Sequence, residues 1–227
     1  LLSLTVTLRC RATQARQSFS LLLYSDKTKN RVLRRPFFIG KFMIDFRYIN
    51  DSENKHQVQH DAGIKLLNEM LFETYGRVIS ESDIKKQENG KPYIDGCHFS
   101  ISHCEGLCCC MVSTEECGID CEKIRKYRPN IICRVFTESE AEWFSTLPCP
   151  DTARYFFILW TLKEAYGKYT GKGIADMKNV SFAIDNSVLK SDKPQLDFHV
   201  YEQEGYILSV CTKKSTPIRC TFGKQIL

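Results

Sequence analysis

The sequence predicts an α+β protein built as a pseudo-two-fold pair of similar α/β halves, and three features predict it. From Asp61 to Tyr75 apolar residues fall at 64, 67, 71 and 75, one helix face at 3.6-residue spacing, with Gly76 as the stop. Short runs of strand character, punctuated by turn residues, alternate with two further helical stretches. Sliding the chain on itself by 99 residues lays 99–107 (FSISHCEGL) over 198–206 (FHVYEQEGY), matching Phe, Glu and Gly. The same offset sets the helix from Asp61 against the helix around Trp160, and two elements in one order at one offset indicate a repeat.

Taken in order, residues 1–40 are a basic segment of uncertain character, 41–116 the first half and 117–227 the second. Residues 1–35 mix Ser, Thr, Arg and Leu without helical or alternating periodicity. They lack the apolar core of roughly 7 to 15 residues and the cleavage site of a signal peptide, so no secretion is expected, and the Arg-rich residues 1–20 only weakly resemble a transit peptide. Asn89-Gly90-Lys91-Pro92 reads as a turn. Phe99 to Ser102 and Leu107 to Ser113 read as a hairpin joined by His103 to Gly106, and Cys117 to Glu122 as a further strand. Glu138 to Ser145 and Thr152 to Tyr169 are expected helices, and Val180 to Ile184, Leu196 to Glu202 and Tyr206 to Thr212 expected strands. A cleft between the halves is a natural ligand site.

Composition narrows the function classes. The 227 residues are 43% hydrophobic, enough for a buried core, and no apolar run approaches the roughly 20 residues of a membrane-spanning helix. Net charge is +5, but residues 1–47 hold 10 Lys and Arg against 2 acidic residues, so the rest of the chain is close to neutral. A basic excess in one tail is not the footprint of a nucleic-acid-binding surface, and Phe19, Tyr24, Phe37 and Phe38 are too sparse for base stacking. The 12 cysteines include no Cys-x-x-Cys pair. Cys108, Cys109 and Cys110 are consecutive, and neighbouring strand residues face opposite ways, so they cannot serve one metal. The set His103, Cys104, Cys108, Cys117 and Cys121 lacks the usual zinc spacing, and the cysteines read as small buried hydrophobes of a reduced, zinc-free cytoplasmic protein.

Two segments carry chemistry. On a strand, Asp120 and Glu122 of Gly118-Ile119-Asp120-Cys121-Glu122 share one face while Ile119 and Cys121 share the other. On a helix, Trp160, Glu164 and Lys168 of 160–168 (WTLKEAYGK) lie on one stripe. Each alone reads equally well as a solvated face. If the helix packs on the strand, three carboxylates meet, and like charges at about 4 Å repel by about 4 kcal/mol per pair at an effective dielectric near 20. Such a cluster calls for a cation, and oxygen ligands point to a hard one such as Mg²⁺, which completes its shell with water and substrate phosphates.

These segments, about forty residues apart, resemble the signature pair of the 4′-phosphopantetheinyl transferases. Gly90-Lys91-Pro92 and Phe99-Ser-Ile-Ser102-His103 resemble further motifs of the long, Sfp-like branch, and all four occur in the right order. The resemblance implies transfer of the 4′-phosphopantetheine arm of coenzyme A to a serine of an apo acyl or peptidyl carrier protein, releasing adenosine 3′,5′-bisphosphate. It implies Asp120, Glu122 and Glu164 as ligands of Mg²⁺ (or Mn²⁺), Glu164 as general base and Lys168 as the group that stabilises or protonates the leaving group. Lys91, Ser102, His103 and Lys163 are implied as contacts to the phosphates of coenzyme A. The family's first-half helix usually carries an Arg three residues after the Asp of its Asp-Ala opening, where this chain has Ile64, so the neighbouring Lys65 is its implied substitute. A monomer without nucleic-acid or membrane partners is expected. The alternative is a catalytically impaired relative that only binds carrier proteins, which the presence of all three carboxylates and Lys168 disfavours.

Overall fold

The structure of the chain, a computed structural model, describes residues 4–5, 20–26, 31–36, 42–50, 55–214, 218–220 and 222–227. It falls into two compact units, Leu1–Gly40 and Lys41–Leu227. In the first, strands β1 (Leu4–Thr5), β2 (Ser20–Asp26) and β3 (Arg31–Pro36) pair antiparallel in that order, with Leu4 opposite Leu21 and Tyr24 opposite Leu33. No element was expected in residues 1–35. The hairpin there arises from pairing between segments, which leaves no periodic trace where neither strand alternates apolar with polar residues.

The second unit begins with β4 (Phe42–Tyr48), α1 (Lys55–Tyr75), β5 (Lys85–Lys86), β6 (Pro92–Tyr93), β7 (His98–Cys104) and β8 (Leu107–Ser113). It continues with β9 (Cys117–Lys123), α2 (Ile132–Val135), α3 (Glu138–Ser145) and α4 (Cys149–Thr170). Last come β10 (Phe182–Asp185), β11 (Val188–Ser191), β12 (Leu196–Gln203), β13 (Tyr206–Lys213), β14 (Ile218–Cys220) and β15 (Lys224–Gln225).

Two four-stranded sheets carry this unit, ordered β14-β4-β8-β7 and β15-β12-β13-β9. Every neighbouring pair is antiparallel except β14, which lies parallel to β4. The repeat is visible in this order. Each half runs strand, helix, hairpin (β4-α1-β7-β8, then β9-α4-β12-β13), and in each the second hairpin strand lies between the other two. The 99-residue offset therefore superposed structural equivalents, β7 on β12 and α1 on α4. The chain end crosses back, since β14 joins the sheet of the first half.

Three cores stack between these layers. Leu66, Leu67, Met70 and Leu71 of α1 pack on Cys108, Cys110 and Val112 of β8. Ile44, Cys109 and Met111 meet Ile119, Cys121, Leu208 and Val210 between the sheets. On the far side Phe157, Ile158, Leu162 and Ala165 of α4 cover Val200, Ile207 and Cys211. The run Cys108-Cys109-Cys110 thus alternates between two cores, and eight of the described cysteines are buried as small apolar side chains. Cys133 and Cys149 are exposed. Where the sheets adjoin at β7 and β9, serine side chains replace a backbone ladder. The Ser100 hydroxyl accepts from the Ile119 N–H at 3.2 Å, and the Ser102 hydroxyl from the Cys121 N–H at 3.3 Å.

Several element boundaries differ from expectation. Helix α1 starts at Lys55, before Asp61, and its buried stripe runs through Gly63, Leu66, Leu67, Met70 and Leu71 while Tyr75 is 43% exposed. Gln59, in this earlier stretch, is buried with its side-chain amide donating to the Cys104 carbonyl at 3.3 Å, a burial that counting apolar residues cannot reveal. Helix α4 likewise starts earlier, at Cys149 behind Pro148. Strand β11 was not expected. It pairs with β10 across Asn186 and Ser187, both at positive φ, a two-residue turn that tertiary pairing selects.

Candidate active site

The site forms where α4 lies on β9, and its position follows from two close approaches. A Cβ on Gly118 would sit 2.0 Å from the Ala165 carbonyl oxygen and 2.6 Å from the Tyr169 nitrogen, so the helix backbone rests directly on the strand at that residue. One turn earlier, the Thr161 hydroxyl meets the Ser209 hydroxyl of β13 at 2.7 Å in the core. Ser209 stands opposite Asp120 in the sheet. Ile119 and Cys121 point into the core between the sheets, which leaves Asp120 and Glu122 on the other face, towards α4. Glu164 and Lys168, on the same side of α4, complete the group.

Charge is unevenly balanced in this cluster. Asp120 Oδ1 accepts from Lys168 Nζ at 2.7 Å and from the Ser102 hydroxyl at 2.7 Å, while Oδ2 is buried without a partner. Glu122 accepts from Arg125 at 2.7 Å. Burial raises the carboxyl of Glu164 to about 7, aided by the nearby Asp120 and Glu122 charges and opposed by Lys168. Burial also raises Glu122, against the Arg125 hydrogen bond. Burial disfavours the charged form of Lys168, but Asp120 outweighs it and the net shift is upward, so the ammonium stays charged. The buried, unpartnered Oδ2 of Asp120 beside two carboxylates held above their ordinary range is a donor set short of positive charge. It suits a hard cation bound by few protein oxygens. Among the described residues no group of three or more His, Cys, Asp or Glu side chains is placed to hold a metal ion as it stands.

Two lysines expected at phosphates are used elsewhere. Lys163 is fully buried, its ammonium bound to Glu140 at 2.8 Å and to the carbonyls of Met177 at 3.0 Å and Val180 at 2.8 Å. Glu140 in turn accepts from the backbone N–H groups of Thr137 and Phe182. The pair ties α3, α4 and the segment before β10 together. Lys91 is 7% exposed and binds Glu116, the Cys117 carbonyl at 3.0 Å and the Tyr169 carbonyl at 2.9 Å. With three donors occupied, neither ammonium is open to a phosphate. Ser102 is corrected in the same way, because its hydroxyl already donates to Asp120 and accepts from Cys121, which makes it a support for the aspartate. Removing the Lys163 ammonium with Lys163→Met should destabilise the fold by at least about 3 kcal/mol in urea titrations, because it leaves a buried carboxylate without its cation. Lys163→Met with Glu140→Leu should recover much of that loss.

His103, one residue beyond Ser102, is exposed. Desolvation, with Lys168, His56 and His60 nearby, pushes its imidazole down, so at neutral pH it meets an anion as a neutral hydrogen-bond donor until that anion raises its pKa. Lys65 is exposed on α1 and makes no hydrogen bond or ion pair among the described residues; the α1 side chains that act on the His103 imidazole are His56 and His60. Sequence reasoning did not single out these two histidines, nor Arg125 or Glu140, and it read Asn89 only as part of a turn. Asn89 donates to the Thr170 carbonyl at the end of α4 at 3.2 Å, so the Asn-Gly-Lys-Pro turn closes over that helix terminus. Its neighbours form a cleft of about 350 Å³ lined by Gly90, Pro92, Ile101, Gly171 and Gly173, with Lys168 also in its lining.

Residues 116–216 match the 4′-phosphopantetheinyl transferase superfamily. The 4′-phosphopantetheinyl transferase gsp of Aneurinibacillus migulanus is 32% identical over 209 residues, covering 83% of this chain and 87% of that protein. The 4′-phosphopantetheinyl transferase Sfp of Bacillus subtilis (strain 168) is 31% identical over 171 residues, 67% of this chain and 75% of its own length. The L-aminoadipate-semialdehyde dehydrogenase-phosphopantetheinyl transferase of Saccharomyces cerevisiae (strain ATCC 204508 / S288c) is 30% identical over 161 residues, 62% of this chain and 59% of that protein. The extent of the first of these matches, and the acidic cluster lying within the matched residues, lead to one conclusion: the chain belongs to the 4′-phosphopantetheinyl transferase superfamily.

Proposed function

We propose that this chain transfers the 4′-phosphopantetheine arm of coenzyme A to a serine of an apo acyl or peptidyl carrier protein, with Asp120, Glu122 and Glu164 holding Mg²⁺ or Mn²⁺. The serine oxygen bonds to the phosphorus of the pantetheine phosphate, the bond from that phosphorus to the nucleotide phosphate breaks, and adenosine 3′,5′-bisphosphate leaves. The observation that carries the metal reading is the buried, unpartnered Asp120 Oδ2 facing two carboxylates of raised pKa. A divalent ion bound there would neutralise charge growing on the leaving phosphate. Glu164 accepts the serine proton, directly or through water, because a serine hydroxyl is a poor nucleophile until that proton is taken. Lys168, held on Asp120, offers a proton or a positive charge to the leaving group. His103 donates to a coenzyme A phosphate at the mouth of the site, and the cleft under Pro92 and Gly173 receives part of the nucleotide.

The halves 41–116 and 117–227 are read as the two walls of this site, and the protein as a cytoplasmic monomer. The rival reading, a carrier-protein binder without turnover, is disfavoured by the complete set of carboxylates beside Lys168. Incubation with coenzyme A, Mg²⁺ and a panel of apo carrier proteins, followed by mass spectrometry, tests the reaction. Addition of the arm to at least one carrier is the expected result, and binding without addition would favour the rival. EDTA should abolish transfer and Mg²⁺ or Mn²⁺ restore it; full activity in chelated buffer would remove the metal from the site.

A further inference from the structure

We propose that Arg125 is the resident counter-ion of Glu122, holding that carboxylate in the metal-free protein and yielding it when a divalent ion binds, so that metal entry exchanges one cation for another. The inference rests on reading Glu122 as a metal ligand. The Arg125 guanidinium donates through one nitrogen to Glu122 at 2.7 Å and to the Lys123 carbonyl at 3.1 Å. Its carbon lies 4.9 Å from the centre of the Phe157 ring. Phe157 is buried on α4, two turns before Glu164, so the ring is a fixed perch at the edge of the acidic cluster.

The two cations already in the cluster are not equivalent. Each cation holds a single carboxylate oxygen, Lys168 the Oδ1 of Asp120 and Arg125 the Oε2 of Glu122, but Lys168 also reaches the Ile101 carbonyl at 3.5 Å and its side chain is only 28% exposed. At Glu122 the guanidinium and a divalent ion would share one carboxylate at a separation of a few ångströms, where like charges repel strongly. Arg125 is the one that can move: its side chain is 53% exposed, that of Glu122 only 19%. The Phe157 ring and the Lys123 carbonyl keep the displaced guanidinium close, ready to take Glu122 again when the ion leaves. Arg125 is thus a positioning residue, acting on the metal through Glu122.

Mn²⁺ titration of the full chain without coenzyme A, read by electron paramagnetic resonance of the free ion, tests this. Arg125→Gln should bind Mn²⁺ roughly two- to fivefold more tightly than the parent, the equilibrium worth of an exposed ion pair that no longer has to be broken. Arg125→Lys, which keeps the charge but loses the planar grip on the ring and the carboxylate, should fall between them. Lys126→Gln, the removal of an exposed charge next in sequence, should leave the affinity close to that of the parent. Unchanged or weaker binding by Arg125→Gln overturns the inference, as does equal tightening by Lys126→Gln, which would mark a general field effect. Those outcomes leave the metal reading intact, whereas absence of Mn²⁺ binding by every chain would overturn both.

Discussion

Replacing Glu164 by Gln is expected to lower the single-turnover rate of phosphopantetheine transfer by about 10²- to 10⁴-fold, roughly 3 to 5 kcal/mol of barrier, while coenzyme A binding falls far less. The substitution keeps the size of the side chain and removes both its charge and its basicity. Were Glu164 no more than a partner of Lys168 on a helix surface, the change would cost only a few tenths of a kcal/mol and turnover would stand. Transfer measured at saturating Mg²⁺ separates the two, and a rate within about threefold of the parent would leave the assigned role without support.

The same residue makes a prediction in pH. Its carboxyl is raised to about 7 in the folded chain, so in metal-free protein it takes up a proton that the unfolded chain, at 4.5, has already lost. Between these two values the folded state binds more protons, so the contribution of Glu164 to stability declines as pH rises from 4.5 to about 7. The Gln variant should lose that part of the decline in metal-free denaturation curves. A bound divalent ion would favour the ionised form and move the titration to lower pH, so chelator should sharpen the difference.

Gly118→Ala is expected to damage both stability and turnover. The added methyl would have to fit 2.0 Å from the Ala165 carbonyl oxygen, a backbone atom of a 22-residue helix that cannot rotate away. Either α4 lifts or β9 recedes, at a cost of about 1 to 3 kcal/mol, the usual penalty of overpacking. Because Asp120 and Glu122 lie on the strand and Glu164 and Lys168 on the helix, the shift also separates the proposed ligands. Misplacement by about 1 Å can cost about 10²-fold in rate. Urea titration with transfer assays should show both losses; wild-type turnover in Gly118→Ala would mean that the approach of helix to strand does not set the site.

Much of this was legible along the chain. The alternation of Gly118 to Glu122 requires two carboxylates on one face, and the Trp160 to Lys168 stripe places Glu164 and Lys168 one turn apart; both follow from the periods of strand and helix alone. The repeat was legible for a related reason, because both halves carry a helix followed by a hairpin in the same order at a nearly constant offset. The short strands β11, β14 and β15 were not, since their formation depends on which edge is free to receive them, and nothing local records that.

By itself, then, the sequence determined which residues could act together within one element, and through its four ordered motifs the family to which the chain belongs. Only the tertiary structure decided which charged groups are available. Lys163 and Lys91 look like their neighbour Lys168 in one dimension, yet each is buried against a carboxylate and backbone carbonyls contributed by segments far along the chain. Burial makes full pairing of an ammonium compulsory, and which segments supply the partners depends on how sheets and helices stack. The same stacking leaves Asp120 Oδ2 unpartnered and Glu164 near neutral pH, because desolvation and the approach of like charges belong to the space between β9 and α4 and to neither element alone.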